Sequence, residues 1–272
     1  MSKIKKRSVL ITGASSGIGE ETTRLLGENG HQVFLAARSF EKLKKISSEI
    51  NSAGGQATPV RLDLEDENSI SDCAKKINAE AENPFVLINN AGYGIYGRVE
   101  EVPLAEARRM FETNFFGALK LTKKLLPLLK SQPAGRVINV ASGVAKRGFP
   151  VMSYYAASKA ALESISESMR LELEPYGIIV QVVYPLRTKT SFSAQAVRYV
   201  PDSFEFPSHG PTQTSAAVAS AIVRALNCDR FRIHPHYSTK LFGVFNEVFP
   251  ALTAKVMSLR DTVRRSFEKF PG

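Results

Sequence analysis

Short apolar runs alternate along this chain with longer stretches whose apolar residues return every three or four positions. The runs at 8–12, 32–37, 57–62, 85–89, 135–142 and 179–184 have the length and composition of strands. The stretches at 40–53, 67–82, 104–131 and 153–175 carry the helical period. Strand followed by helix, repeated, predicts an α/β fold: a doubly wound parallel sheet with helices on both faces. Right-handed crossovers then bring the ends of the strands to one edge of that sheet. At 272 residues and 43% hydrophobic, the chain can bury a large core. No internal repeat, low-complexity tract or linker divides it, so a single domain over 1–272 is expected.

Two groups of residues carry chemistry. In the run Ser153-Tyr154-Tyr155-Ala156-Ala157-Ser158-Lys159, the side chains of Tyr155 and Lys159 lie one helical turn apart on one face. An ammonium beside a phenol favours the phenolate, and each unit by which it lowers the ordinary value near ~10 corresponds to ~1.4 kcal/mol. The spacing therefore predicts that Lys159 makes Tyr155 acidic enough to serve as general acid or base. Tyr154 lies about 100° around the helix and is expected to pack instead. Upstream, Ser142 ends the run Arg136-Val137-Ile138-Asn139-Val140-Ala141-Ser142. A hydroxyl there can donate to a carbonyl oxygen while the tyrosine delivers the proton. Taken alone, a Tyr/Lys pair is also what an ordinary helix surface offers, and it is Ser142 that turns the reading toward chemistry.

The second group is N-terminal. The strand Ser8-Val9-Leu10-Ile11 runs through Thr12-Gly13-Ala14-Ser15-Ser16-Gly17-Ile18-Gly19 into a helical stretch from Glu20. Strand, glycine turn and helix in this order suit a phosphate, because glycines admit its close approach and the helix amides and dipole favour its charge. With this turn, Asn89-Asn90-Ala91-Gly92 and Tyr155-x-x-x-Lys159 in order, the chain resembles the short-chain dehydrogenase/reductase family over roughly residues 7 to 234. More loosely, it resembles that family's hydroxysteroid and retinol dehydrogenase branch.

The resemblance implies a Rossmann-type fold with the cofactor-binding core and catalytic residues in 7–184, a substrate lid over 186–211 and a C-terminal helical extension over 238–272. Gly13, Gly17, Ile18 and Gly19, with Ser15 and Ser16 in the same loop, would hold the cofactor pyrophosphate. Asp63, with Leu64, would meet the adenine, and Asn90, Ala91 and Gly92 would flank the adenosine ribose. Pro185, Thr188 and Thr190 complete the cofactor set. Asn114, which would organise a proton-relay water, joins Ser142, Tyr155 and Lys159 as the catalytic set, the lysine also binding the nicotinamide ribose. Each match has a plain structural reading beside it: Asp63 can cap a turn, Asn114 can bond backbone within a helix, and Asn89 can end a strand. One position departs from the family. Leu186 follows Pro185 where a glycine is usual, so its side chain must point elsewhere or crowd the nicotinamide.

Cofactor choice turns on the end of the second strand, Val33-Phe34-Leu35-Ala36-Ala37-Arg38. An acid there would accept hydrogen bonds from the 2′-hydroxyl of NAD, whereas an arginine accommodates a 2′-phosphate. With Ala37 and Arg38 in place and Lys42 nearby, NADP(H) is preferred over NAD(H). No metal is expected, since Cys73 and Cys228 stand far apart and the four histidines are scattered. Two isolated thiols suit a cytoplasmic protein. The basic start leads into an apolar run that stops at Thr12-Gly13 and belongs to the cofactor strand, so no targeting segment is expected.

A net charge of +10 raises the question of polyanionic partners. Without a recognition-helix signature or an aromatic stacking platform, nucleic acid is not expected. The tail from Lys240 to Leu252, followed by Lys255, Arg260, Arg264, Arg265 and Lys269, mixes apolar bulk with cations. It is too interrupted to span a membrane. Packing over the substrate cleft or a subunit partner is the favoured expectation for it, with weak peripheral contact to anionic lipid as the second.

The lid contains Phe192, Val197, Tyr199, Val200, Phe204 and Phe206, and Tyr93, Tyr96, Val144, Phe149 and Met152 are candidates for the same wall. That wall predicts a hydrophobic small-molecule substrate, although Arg187, Lys189 and Arg198 could clamp a carboxylate or phosphate. The family resemblance implies a homodimer or homotetramer paired through the helices near 104–131 and 153–175. The expected activity is NADP(H)-dependent interconversion of a hydrophobic secondary alcohol and its ketone, of steroid, retinoid or lipid type. A dinucleotide-sensing regulator and a lipid-surface protein without catalysis are the rivals, and neither needs a complete Ser-Tyr-Lys set.

Overall fold

Strands covered by helices on both faces must be apolar throughout rather than alternating, and this is how β1 (Ser8–Thr12) and β4 (Phe85–Asn89) are built: every residue of both is buried. The computed structural model describes residues 6–82, 84–132, 134–200 and 211–258. From the amino end the elements are β1, α1 (Gly17–Glu28), β2 (Gln32–Ala37), α2 (Phe40–Ser52), β3 (Gln56–Arg61), α3 (Glu67–Glu80) and β4. They continue with β5 (Ile95–Gly97), α4 (Leu104–Phe111), α5 (Gly117–Lys130), β6 (Arg136–Val140), α6 (Ser153–Leu173), β7 (Ile179–Val183), β8 (Thr188–Lys189), α7 (Phe192–Gln195) and β9 (Val197–Tyr199). Last come β10 (Gln213–Thr214), α8 (Ser215–Ala225), β11 (Arg232–Ile233), α9 (Tyr237–Val248) and α10 (Pro250–Ser258).

Seven strands form one parallel sheet in the order β11-β7-β6-β4-β1-β2-β3. Winding runs outward in one direction from β1 through β2 to β3, and in the other through β4, β6 and β7. The loops after β1 and β4 therefore separate at the centre of the sheet, where an open α/β fold offers a crevice. One face packs Leu26 of α1, Leu43, Ile46 and Ile50 of α2 and Val218 and Ile222 of α8 against the strands. The other packs Ile70 and Ile77 of α3, Leu121, Leu125 and Leu129 of α5, and Met169 and Leu173 of α6. This is the Rossmann-type doubly wound sheet that the alternation of runs implies.

Three features differ from the sequence pattern. The helix expected over 104–131 is interrupted by a π-helical turn, Glu112–Phe116, between α4 and α5. Its apolar period is continuous across the interruption, so the extra residue leaves no mark on the pattern. The seventh strand, β11, is two residues long and carries no period of its own. Two small parallel pairs, β5 with β9 and β8 with β10, tie the segment after β7 to the body. They too are shorter than any periodic signal. Part of the expected lid, including Phe204 and Phe206, lies outside the described residues.

At the junction of the π turn with α5, Gly117 lies so close to the loop after β3 that an added Cβ would collide with the Leu64 carbonyl oxygen. Gly117→Ala is expected to cost about 1–3 kcal/mol through this overpacking, read as a lower urea midpoint with an unchanged slope. An unchanged midpoint would show that the loop has room to retreat.

Candidate active site

Thr12 closes β1, and its hydroxyl accepts from the backbone amides of Asn90 and Ala91, both at 3.0 Å. The Asn90 side chain returns the contact by donating to Thr12 O at 2.9 Å and Gly13 O at 3.3 Å. Backbone groups that leave the sheet where β1 and β4 part are satisfied in this way. Gly13 and Gly17 both have φ in the left-handed region, at +67° and +56°. A Cβ on Gly13 would come within 2.8 Å of Ala91 Cα, and one on Gly19 would collide with Gly13 O. The turn is thus compressed against the loop after β4, and Ser16, the N-cap of α1, makes no side-chain capping bond to the amides of the first turn.

The catalytic candidates sit at the ends of β6 and α6. Ser142 follows β6, and its hydroxyl accepts from Val144 N at 3.3 Å and stands near enough to the Tyr155 phenol to ease its ionisation. Tyr155 and Lys159 are both buried, the lysine only 4% exposed. Lys159 does not spend its ammonium on the tyrosine: Nζ donates to Val140 O at 2.9 Å. The expected lowering of the Tyr155 phenol by Lys159 is therefore corrected. Burial raises the phenol above its ordinary value, opposed only by the Ser142 hydroxyl, and burial lowers Lys159 to about 8. Two charged forms are being kept out of a dry wall, and desolvation outweighs the mutual attraction that the helical spacing suggests. Tyr154 packs as expected and donates from its hydroxyl to Val99 O at 3.1 Å.

Asn114 lies in the π turn, where its side chain bonds both backbone groups of Tyr93, accepting from N at 3.0 Å and donating to O at 3.0 Å. It also donates to the Ser158 hydroxyl at 3.1 Å, and that hydroxyl donates to Tyr155 O at 2.8 Å. Asn114 thus joins the loop after β4 to the helix that carries Tyr155. A Cβ on Gly92 would stand 2.8 Å from Asn114 Oδ1 and 3.3 Å from Lys159 Nζ, so these three residues meet at one point. Asp63 fulfils its structural reading, since Oδ1 accepts from Glu65 N at 3.0 Å, and it also faces the cleft.

One cleft of about 1030 Å³ collects these parts. Gly13, Ser15, Ser16, Gly17, Ile18, Arg38, Asp63, Leu64, Asn90, Ala91 and Gly92 line one arm. Ser142, Tyr155, Lys159, Pro185, Thr188 and Thr190 line the other, and Lys42 joins Arg38 at the far end. Gly19 and Asn114 stand behind the wall rather than in it. The substrate arm is faced by Tyr93, Tyr96, Val144, Phe149, Met152, Phe192 and Val197, with the Phe192 ring 5.5 Å from that of Tyr155. Arg187 and Arg198 also border it, whereas Lys189 does not. Leu186 lines the cleft half-buried and leans toward Gly143, its Cδ2 lying 3.8 Å from where a Cβ on that glycine would be.

Several positions escape sequence reasoning. Thr12 opens the glycine motif, yet its bridging hydroxyl shows only once β1 and β4 are neighbours. Glu163, one turn beyond Lys159, forms a close ion pair with Lys146 of the turn that follows Ser142 and accepts from the Tyr184 hydroxyl at 2.8 Å. The i, i+4, i+8 spacing of Tyr155, Lys159 and Glu163 was the available signal. His234 stacks on Tyr184 at 5.0 Å and meets Thr239 Oγ1 at 3.0 Å; burial, reinforced by Lys146, pushes its imidazole down to about 4. Val151, at φ +66°, is a β-branched residue held in the left-handed region at the rim of the cleft. Cys73 and Cys228 are free thiols, and among the described residues no cluster of three or more His, Cys, Asp or Glu is placed to hold a metal ion.

Comparison with known proteins agrees with this geometry. The family model described as short chain dehydrogenase matches residues 7–199, and the chain belongs to that family of oxidoreductases. Human retinol dehydrogenase 8 is 35% identical over 209 residues, which cover 75% of this chain and 66% of that protein. Among solved structures, a short chain dehydrogenase from Burkholderia cenocepacia in complex with NADP is 27% identical with a TM-score of 0.78, covering 93% of this chain and 98% of that one. A short chain dehydrogenase/reductase from Burkholderia phymatum in complex with NAD shares the fold at a TM-score of 0.81 and 22% identity, covering 93% and 97%. Both forms of the nicotinamide dinucleotide thus occur among proteins of this fold.

The lowered Lys159 value has a consequence for stability. Its folded-state value of about 8 lies below the ordinary 10.5, so between these limits unfolding takes up a proton and stability rises with pH. Below about pH 8 the whole cost of burying the charge is present. Lys159→Met, which keeps the apolar stem, is expected to be more stable than the parent by about 1–3 kcal/mol at pH 7, less whatever the Val140 contact contributes. That advantage should fade toward pH 10.5 in urea unfolding across a pH series. A constant difference at all pH values would refute the buried-charge assignment.

Proposed function

We propose that the protein is an NADP(H)-dependent oxidoreductase that interconverts a hydrophobic secondary alcohol and its ketone, of steroid, retinoid or lipid type. The observation that carries this reading is the convergence of Ser142, Tyr155 and Lys159 on an apolar-walled cleft continuous with the glycine turn. The likeness to retinol dehydrogenase 8 supports the substrate class, and Arg38 with Lys42 supports the 2′-phosphate form. The residues fit a dinucleotide, for the turn leaves no room for side chains at Gly13 and Gly19 and presents uncapped helix amides, two serine hydroxyls and two cations. When bound there, a nicotinamide dinucleotide supplies or accepts the hydride.

The chain's own groups manage the oxygen. Ser142 donates a hydrogen bond to the carbonyl oxygen and fixes its direction. Tyr155, held protonated by burial, delivers its proton to the same oxygen in reduction and recovers it in oxidation. Lys159, with its value near 8, can lend or take up a proton close to neutral pH at the floor of the site. Asn114 is assigned a positioning role, joining the loop of Gly92 to the helix of Tyr155. Phe192, Phe149 and Val144 exclude water and favour an apolar guest. Reduction is the favoured direction where cells hold the 2′-phosphorylated dinucleotide largely reduced.

A single catalytic domain and a homodimer or homotetramer complete the reading, the latter with exposed Leu104, Phe116 and Leu171 as anchors along the helices after β5 and β6. Free thiols at Cys73 and Cys228 are in keeping with a cytoplasmic setting.

A panel of apolar ketones with NADPH separates catalysis from dinucleotide sensing, since a sensor would oxidise none of them. With an accepted ketone, Tyr155→Phe is expected to lower kcat by ~10²–10⁴-fold while NADPH affinity, read by fluorescence titration, stays within about twofold. Retention of more than about a tenth of the activity would exclude the tyrosine as acid. Arg38→Leu should raise the KM for NADPH by about tenfold and leave that for NADH nearly unchanged, as expected for one lost charge-assisted contact. A parent enzyme that prefers NADH would sink this assignment.

A further inference from the structure

The C-terminal helices are amphipathic the wrong way round. In α9 the buried positions are Thr239 and Gly243, with Asn246 half-buried beside them. Outward stand Tyr237 at 71% exposure, Leu241 at 60%, Val248 at 60%, and Val244, Phe245 and Phe249, continued by Leu252 of α10. Positions 237, 241, 244, 245 and 248 share one face of α9, so their side chains form a stripe, and at its end, where the chain turns into α10, the Phe249 ring lies 5.4 Å from that of Phe245. Soluble monomers rarely leave so large a contiguous apolar patch in water.

The orientation is fixed by bonds on the polar face. Asn246 accepts from Arg147 at 2.6 Å and donates to Lys146 O at 2.9 Å, and Thr239 donates to His236 O at 2.7 Å while packing against the turn that follows Ser142. Rolling the helix to hide its apolar stripe would break the two Asn246 bonds to the body. The tail therefore packs with its polar side against the turn that follows Ser142 and leaves its apolar side outward, and none of its described residues lines the cleft.

Charge decides what covers the stripe. Lys240 of α9 and Lys255 of α10 are exposed, and by sequence the segment 237–272 carries six cations, Lys240, Lys255, Arg260, Arg264, Arg265 and Lys269, against three acids, Glu247, Asp261 and Glu268, those after 258 lying outside the described residues. Glu247 stands 3.8 Å from Lys146 and is partly neutralised. A second copy docked through the same face would bring segments of the same net positive charge together, since a twofold contact pairs a patch with its own image. A bilayer surface bearing anionic headgroups complements both the apolar stripe and the net positive charge of this segment.

We propose that this face of α9 and α10 docks onto an anionic lipid surface. Docking there sets the mouth of the cleft against the bilayer, because the ring of Phe242 on the flank of α9 lies 6.2 Å from that of Phe149, which lines the cleft, at a tilt of 36°. An apolar substrate dissolved in lipid then enters without crossing water, a consequence that rests on the function proposed above, although the docking itself does not.

Vesicle flotation of the full chain tests it, with phosphatidylcholine vesicles that contain or lack phosphatidylserine. The parent is expected to float with the anionic vesicles, more weakly with the neutral ones, and to be released by salt. The double substitution Leu241→Glu and Val248→Glu should cut the floating fraction by about tenfold or more, with melting temperature and NADPH binding unchanged because both sites are exposed. Failure of the parent to float, or equal flotation of parent and double variant, overturns the proposal. So does light scattering that shows a lipid-free dimer which the double variant converts to monomer, since the stripe would then belong to a second copy. None of these outcomes touches the Tyr155→Phe test, so the two readings fail separately.

Discussion

The hydroxyl of Thr12 holds the site together. At the centre of the sheet β1 and β4 are neighbours, but their following segments turn to opposite faces, and backbone amides there lose the partners a ladder would supply. One oxygen takes two of them, from Asn90 and Ala91, and the Asn90 amide closes the return bond. That joint holds the glycine turn against the loop of Gly92, and with it the two parts of the cleft that these loops line. Buried polar groups are costly unless paired, so the fold gains both satisfaction and shape from the same atoms.

The same accounting explains the reacting end. Tyr155 and Lys159 are carried on a helix whose inward face is dry, and desolvation presses both toward their neutral forms. The Val140 carbonyl, Ser142 and the Asn114–Ser158 link then determine where each polar atom points. On the proposed reading this suits an acid that must keep its proton until a carbonyl oxygen arrives. The helix continues the theme one turn on, where Glu163, Lys146, Tyr184 and His234 bind the turn after Ser142 to the segment that leads into the C-terminal helices. The substrate wall and the outer apolar stripe are thus two sides of one polar seam.

That seam also accounts for the inverted α9. A helix that packs on charged and hydroxylated groups must spend its polar residues inward, which leaves its large apolar residues facing away from the body. The inner side is held by specific bonds, those of Asn246 to Arg147 and Lys146. Whatever covers the stripe therefore acts close to the mouth of the cleft, and the chemistry within and the surface without are mechanically joined through Lys146 and Arg147.

Much of this was legible in the chain itself. The strands β1, β2, β3, β4, β6 and β7 and the long helices between them follow from apolar runs a few residues long and from the helical period, because burial on both faces of a sheet leaves no other pattern. Gly13, Gly17, Ser142, Tyr155 and Lys159 could be named because their spacing carries the geometry of a turn or of one helical face. Tertiary structure alone decided the rest. Whether Lys159 faces a phenol or a carbonyl, that Asn114 sits in a π turn, that Thr12 bridges two loops, and that Tyr237, Leu241 and Val248 look outward all depend on residues distant in sequence. Local periodicity states which side chains share a face; only long-range packing and the cost of removing charge from water determine what that face meets.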